Sequence, residues 1–579
     1  MAKTPLFSSL RRAFRQALHT NGLSVGSGWA RSPEQALARR RAFLQASVGA
    51  AGLGALPAIA GCDEETFPAG EEKIAIVGGG MAGIHCAYRL KEAGIIATVY
   101  EAGKRVGGRM FTATGVFPEA ATQLCELGGE LIDTGHTTLH ELAQQLGLQL
   151  DDRAAEPAGI ETETYWIGGT LVDNAVIQQQ FNQVAPTFQA ALEAADNPDD
   201  FTAFDALDVT TLDQWLKDNV PVATYPELHN VLQVAYRGEY GLENSEQSAL
   251  NLIYLIGADP PDPFRIFGDS DERYHTHLGN ESFPRLLSEA LDPGQVLLEH
   301  KLVKARDSEE GYELIFETPN GPVTAQYTRI VFAVPFTTLR EVDLEGLTLS
   351  EEKRAMIDEL GYGTNAKVMM GFSSRVWRDM TNSANGSLTT DFSIQQTWET
   401  TIGQDGTHGI LTNFLGGQQG LAAGNGTELE WANAVLPDLE QVWPGTQAAF
   451  TGTAVRMHWP TVPTMKGSYA CYHPGQWAFF GLEGEREGDI HFCGEHTSLD
   501  FQGYMEGAAE TGALVAAEII DETGGTQPAG LVQVLGAKLL MPQSTYKHAR
   551  FGKLNPFQRR RVKRQLLERL ARELDEAAE

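Results

Sequence analysis

The first strongly patterned stretch is Lys73-Ile74-Ala75-Ile76-Val77, a short, nearly continuous apolar run rich in β-branched residues. Such a run predicts a strand buried on both faces. Gly78-Gly79-Gly80-Met81-Ala82-Gly83 follows, and Ile84–Ala93 reads as a helix stopped by Gly94. Ala97-Thr98-Val99-Tyr100 reads as a second strand, closing on Glu101. Farther along, His300–Arg306, Ile330–Pro335 and Ile490–Glu495 read as strands, and Tyr362–Met370 alternates as a strand does. Asp205–Asn219, Glu351–Leu360 and a segment from Gly503 to about Ile520 read as helices, and Gly416–Thr427 as a glycine-rich loop. Val562, Leu566, Leu567, Leu570 and Leu574 form one apolar stripe at helical spacing behind a basic start, Arg559 to Arg564.

Strand, turn, helix, strand and acid fall in the order of a dinucleotide site. Gly78 permits the tight turn, Gly80 lets backbone approach a pyrophosphate, and Gly83 lets helix pack on strand. Met81 and Ala82 form the first helical turn, whose free N–H groups and positive dipole face the phosphates. Glu101, eighteen residues after Gly83, can accept hydrogen bonds from ribose hydroxyls. NAD and FAD both satisfy this pattern.

Composition narrows the field. The chain has 579 residues, 42% apolar and 21% charged, which excludes wholesale disorder. Its net charge of −32 argues against a nucleic-acid binder, because phosphate would be repelled. Five cysteines (Cys62, Cys86, Cys125, Cys471, Cys493) include no CxxC pair, so neither a disulfide scaffold nor a zinc site is signalled, and no metal is expected. The charge is uneven. Residues 1–45 carry about +7, residues 547–579 about +5, and the body between them about −44. An acidic body concentrates cationic ligands; solubility accounts for much of that charge as well.

Residues 1–61 read as a targeting segment. Arg40-Arg41-Ala42-Phe43-Leu44-Gln45 and the mild apolar run Ala46–Ala60 look like a twin-arginine export signal. Ile59-Ala60-Gly61-Cys62 resembles a lipoprotein cleavage box, which implies lipid on Cys62 and a lipid-anchored protein of the periplasm or cell envelope. The run is short and glycine-rich for a spanning helix, which needs about 20 apolar residues. That export route carries folded proteins, so a cofactor bound in the cytoplasm is expected. The basic tail at 526–579 is too charged to span a membrane; it suits anionic lipid or the acidic body equally.

The residues after Glu101 separate the two dinucleotides. Glu101-Ala102-Gly103-Lys104-Arg105-Val106-Gly107-Gly108-Arg109 resembles the FAD signature of the flavin amine oxidase superfamily, which includes monoamine, polyamine and L-amino acid oxidases. Glu126-Leu127-Gly128-Gly129-Glu130 is similar to a second element of that family, whose backbone passes near the flavin. Cys493-Gly494-Glu495 and Gly503-Tyr504-Met505-Glu506-Gly507-Ala508 are similar to its C-terminal cofactor segments. The resemblance covers nearly all of residues 71–522.

It implies an α/β fold: a Rossmann-like FAD-binding domain, discontinuous over 71–130, 265–345 and 485–525, with an inserted α+β substrate domain over 131–264 and 346–484. It implies cofactor contacts from Arg109, Gly128, Gly129, Glu130, Gly494, Glu495 and Met505, from Val303 at the adenine, and from Trp459 walling the flavin. Tyr469 and Tyr504 match two tyrosines that guide a neutral amine to the flavin, and Lys367 a lysine that holds a water near N5. Ser468 stands where some relatives attach flavin to cysteine, so FAD is expected to bind non-covalently. Asp133 falls near an acid that attracts a second ammonium in polyamine oxidases. No arginine follows the double glycine to pair with an amino-acid carboxylate, although Arg456 offers a substitute.

The expected reaction is oxidation of a small amine to an imine, then a carbonyl compound, with O2 reduced to H2O2. L-amino acid oxidation, a flavin desaturase or isomerase acting on a lipophilic substrate, and a non-catalytic FAD protein of the envelope stand as alternatives.

Overall fold

The computed structural model describes residues 73–154, 159–197, 200–258 and 264–535. The export segment, Cys62 and the tail beyond 535 lie outside the described residues.

One half of the molecule is organised by a five-stranded sheet. Its order is Ile490–Phe492, Arg329–Phe332, Ile74–Val77, Ala97–Tyr100, Val296–Leu297. Every pairing is parallel; Ile74 faces Ala97 on one side and Arg329 on the other. All four residues of Ile74–Val77 are buried, as the unbroken apolar run requires of a central strand. The chain then turns into the helix Met81–Glu92, which packs on the C-terminal helix Met505–Glu522. The packing is backbone to backbone. A Cβ at Gly512 would lie 2.2 Å from the Ala82 carbonyl oxygen. A three-stranded antiparallel meander, Lys301–Ser308, Gly311–Glu317 and Val323–Tyr327, precedes Arg329–Phe332.

The other half is built on a seven-stranded sheet. Its order is Phe450–His458, Ala366–Phe372, Gly409–Leu415, Gln396–Glu399, Leu388–Thr390, Thr164–Ile167, Thr170–Val172. Ala366–Phe372 is buried throughout, because it pairs on both edges. Long helices, Asn174–Ala195 and Pro226–Tyr240, pack an aromatic core that includes Phe181, Phe188, Trp215 and Tyr236. The described residues fold as one compact unit.

Two expectations about elements need correction. Residues 205–219 are not one helix but parts of two, Thr202–Val209 and Leu212–Asn219. Thr211 breaks them: its hydroxyl accepts from the Gln214 N–H at 3.1 Å and starts a new helix. The glycine-rich stretch after Gly416 contains a short helix, Gly417–Ala422. Glu506 has a structural role that its motif did not announce. Its two oxygens accept from the Thr138 and Leu139 N–H groups, at 2.7 and 2.9 Å, and so cap the helix Thr137–Leu146.

The glycine turn is sterically exacting at some positions and open at others. A Cβ on Gly83 would sit 2.0 Å from the Gly78 carbonyl oxygen, whereas one on Gly80 would meet nothing within 4 Å. Gly83→Ala is therefore expected to cost about 2 kcal/mol or more of stability, and Gly80→Ala close to none. Thermal melts of the two variants beside the parent check this; equal melts would contradict the close-packing account.

Candidate active site

A cavity of about 850 Å³ runs from the glycine turn into the seven-stranded half. Its first part is a backbone cradle. Gly78 adopts φ 112°, and a Cβ there would press within 2.6 Å of the Ala333 carbonyl oxygen. Gly80, Met81 and Ala82 line the cavity at the start of the helix, with the open space at Gly80 facing it. Glu101 also lines it. Its carboxylate accepts from the Gly79 N–H at 2.8 Å and the Gly103 N–H at 2.6 Å. Burial raises this acid above its ordinary range, against those two N–H groups, which lower it.

Arg109 reaches across the cleft. Its Nη1 donates to the Ser468 carbonyl oxygen at 2.6 Å and to Glu495 Oε1 at 2.8 Å. Glu495 Oε2 accepts from the Gly503 N–H at 2.8 Å. Gly128, Gly129, Gly494 and Met505 line the cavity beside them. Neither Gly128 nor Gly129 has room for a side chain: a Cβ would lie 1.8 Å from Arg109 O in one case and 2.6 Å from Met505 Cγ in the other. Free helix N–H groups, glycine backbone and a flanking carboxylate fit a dinucleotide.

Beyond that cradle lies a chamber bordered by Lys367, Trp398, Phe414, Trp459, Tyr469 and Tyr504. Lys367 Nζ donates to Gly128 O at 2.8 Å, Glu126 O at 3.3 Å and Glu130 Oε2 at 2.8 Å. An ammonium has three N–H bonds, and these acceptors account for all of them. Burial alone would push Glu130 up, but the Lys367 charge, with Arg153 and His275 farther off, holds it below the usual carboxylate range.

The two tyrosines share one partner. Tyr469 donates its phenol to the Glu239 carbonyl oxygen at 2.5 Å, and Tyr504 donates to the Glu239 carboxylate at 3.1 Å. His136 packs edge-on against Tyr504, 5.4 Å between ring centres, with Phe501 on another side at 5.3 Å. Burial raises both phenols well above their ordinary value, so they stay neutral donors.

Three carboxylates, Glu163, Glu239 and Glu272, line the same cavity. Glu163 and Glu272 each keep an exposed surface at this cavity while protein atoms crowd their carboxyls. Burial and then Glu161 raise Glu163 to about 7. Burial and then the neighbouring acids Asp133, Glu239 and Glu163 raise Glu272 to about 8. Glu272 also holds φ 45°, a conformation costing a non-glycine residue about 1 kcal/mol or more.

Several expected site residues stand elsewhere. Gly83 does not line the cavity but packs helix on strand, the role its place in the turn implies. Val303 sits at a bulge between Leu302 and Lys304; its carbonyl accepts from the Asp343 N–H, while Leu302 is the cavity-lining neighbour. Asp133 is buried outside the cavity lining, where its Oδ1 accepts from Ser270 Oγ and from the Glu272 N–H, both at 2.9 Å. It thereby holds Glu272 in place rather than facing the chamber. Arg456 donates to the carbonyls of Ala423, Asn425 and Gly426 and is also outside the lining; Arg265 is inside it. Glu163, Glu239, Glu272 and Trp398 were not anticipated, and no local motif marks them.

Parallel sheet, glycine turn and a half-open chamber at the far end of the cradle form one continuous site. The chain belongs to the flavin containing amine oxidoreductase family, whose sequence model matches residues 81–520. It is an enzyme of that flavin-dependent, amine-acting class. It is 24% identical over 472 residues to an L-amino-acid oxidase of Siganus canaliculatus, covering 78% of this chain and 85% of that one. It is 24% identical over 519 residues to a pseudooxynicotine dehydrogenase of Pseudomonas sp, covering 83% and 95%. Among solved structures, cyclohexylamine oxidase from Brevibacterium oxydans has the same fold, with a TM-score of 0.67 at 22% identity over 79% of this chain and 100% of that one. Putrescine oxidase bound to putrescine matches with a TM-score of 0.66 at 21% identity, over 78% and 99%.

The raised acids make stability depend on pH. Glu272 keeps its proton in the folded state up to about 8, while the unfolded chain has lost it above about 4.5. Its contribution is therefore present at low pH and is lost as pH rises between those values. Melting temperature of the cofactor-free protein is expected to fall less between pH 6 and 8.5 in Glu272→Gln than in the parent. Parallel pH slopes in calorimetry would contradict the raised acid.

Proposed function

We propose that the protein is an FAD-dependent oxidase of a cationic amine, reducing O2 to H2O2. The observation that carries this reading is the set of acids Glu163, Glu239 and Glu272 lining the chamber that Tyr469 and Tyr504 border. Carboxylates at the wall favour an ammonium-bearing substrate and disfavour a carboxylate. FAD would be held by the glycine turn, Glu101, Arg109 and the start of the helix at Met505. Ser468 offers no thiol for covalent attachment; its hydroxyl donates to Asn365 Oδ1 at 2.5 Å.

The bound cofactor supplies removal of a hydride equivalent from the amine α-carbon. The chain does the rest. Tyr469 and Tyr504, fixed by Glu239, confine the amine between two rings. Glu239 draws in the cation, and the reacting nitrogen must shed its proton to water before it gives up the α-hydrogen. The iminium product hydrolyses in water to a carbonyl compound.

L-amino acid oxidation is a second reading, favoured by Arg265 in the chamber lining and by the names of several relatives. Residues 1–62 support export by the twin-arginine route with lipid at Cys62, which we propose as the protein's address.

Peroxide release from the purified protein tests the main reading. Diamines and hydrophobic monoamines are expected to react, with rate rising toward the pKa of the amine. Glu239→Gln is expected to lower kcat/KM for amines about tenfold or more, largely through KM. Turnover of amino acids alone would transfer the assignment to the second reading. Acid precipitation is expected to release the yellow chromophore into the supernatant; colour retained in the pellet would overturn non-covalent binding.

A further inference from the structure

The Lys367–Glu130 pair is buried at the boundary between the cradle and the chamber. The side chains are 6% and 3% exposed, and their charged atoms are 2.8 Å apart. Both residues line the cavity. Lys367 Nζ holds the carbonyl of Gly128, in the strip that passes Met505, and lies 5.3 Å from the ring of Trp398 in the chamber wall. Glu130 is equally fixed. Its Oε1 accepts from Thr400 Oγ1 at 3.0 Å, and Thr400 Oγ1 lies 2.5 Å from Thr412 Oγ1.

An ion pair this deep is a poor way to gain stability. Two well-packed apolar side chains generally do as well or better, because both charges must leave water. Its distinctive consequence is electrostatic. A lone ammonium would make this wall positive where the cradle ends. With Glu130 in contact, the pair presents almost no net charge.

We infer that Glu130 is a positioning residue that turns the Lys367 ammonium onto the protein and cancels its charge toward the bound flavin ring. This rests on the proposed flavin site but not on any choice of substrate. The affected step is the return of two electrons, with two protons, from reduced cofactor to O2, giving H2O2. Negative charge builds on oxygen there, and an uncompensated cation nearby would speed it. Glu130 thus holds the oxygen step below what Lys367 alone would support.

Charge summation provides the test. Glu130→Gln makes the wall one unit more positive than the parent, Lys367→Met one unit more negative, and the double variant restores the parent's net charge. Two probes of the flavin-loaded protein need no amine: sulfite, an anion that adds to the oxidised ring, and stopped-flow reoxidation by O2 after reduction with dithionite. In Glu130→Gln, sulfite affinity and the O2 rate constant are expected to rise roughly tenfold. In Lys367→Met both are expected to fall by a similar factor, and the double variant should return near the parent. Melts of the cofactor-free proteins supply an independent reading of the pair. Each single variant should melt several degrees below the parent and the double variant above at least one of them, as for a coupled buried pair.

Changes within twofold in both flavin probes for Glu130→Gln would overturn the inference, whatever the melts show. So would a double variant that follows the melting order rather than the charge order. A chain that takes up no flavin would overturn this and the proposed cofactor together. Normal charge behaviour with no amine turnover would refute only the substrate reading.

Discussion

The cleft depends on the convergence at Arg109 and Glu495. These residues are 386 positions apart, yet one guanidinium nitrogen binds Glu495 Oε1 and the Ser468 carbonyl together. Glu495 Oε1 is 3.3 Å from the Ala470 N–H, and Oε2 accepts from Gly503. Three distant segments, each carrying residues of the cavity lining, meet at one ion pair. The pair's own free energy is modest. Its larger effect is geometric, because Tyr469 and Tyr504 follow directly in chain from the segments it joins. The glycines make that convergence possible. Gly128 and Gly507 have backbone carbonyls, of Arg109 and Phe501, where a Cβ would stand, at 1.8 and 2.2 Å.

Those same contacts explain what was legible in the sequence. A backbone that must come within van der Waals contact of another backbone demands glycine, and that demand is written locally. The turn pattern marks Gly78 at the cavity and Gly83 at the helix–strand contact, while Gly128 and Gly129, which also line the cavity, follow from the family resemblance. The strands at Ile74 and Ala97 were equally legible, since burial on both faces leaves an unbroken apolar run. Acids are different. The chain has 76 of them, and one that turns into a chamber looks like one that turns into solvent. Glu239, Glu163 and Glu272 come from a helix, a segment ahead of a strand and a loop, and only the tertiary fold brings them together. Asp133 and Glu506 illustrate the reverse. One falls near a family acid and the other stands inside a family segment, and both accept from backbone N–H groups. Val303 lies at a register shift that no sequence pattern marks, next to the cavity-lining Leu302.

The helix Pro226–Tyr240 connects the acids to the tyrosines. Its last carbonyls lack partners within the helix, as at any helix end. Here they serve as docking points. Gly238 O accepts from Asn365 Nδ2 at 2.7 Å, Glu239 O from Tyr469, and Gly241 O, just past the end, from the Thr364 N–H at 2.8 Å. Asn365 and Thr364 lead directly into the strand that bears Lys367. One helix terminus therefore sets the position of a chamber tyrosine and anchors the start of the lysine strand.

That placement also adds to the field inside the chamber. The C-terminal end of a fifteen-residue helix carries a partial negative charge, and Glu239 puts a full carboxylate beside it. The raised acids Glu163 and Glu272 lie against the same space; burial first, then Glu161 for the one and Asp133, Glu239 and Glu163 for the other, resist their ionisation. A cation entering the chamber would favour the ionised form of both acids. The acids that make the empty chamber less stable at high pH are those that would make it receptive to an ammonium. Lys367 is kept out of this balance because Glu130 already occupies it. The chamber can then be negative toward substrate while the wall beside the cradle stays neutral, two fields separated by a single carboxylate.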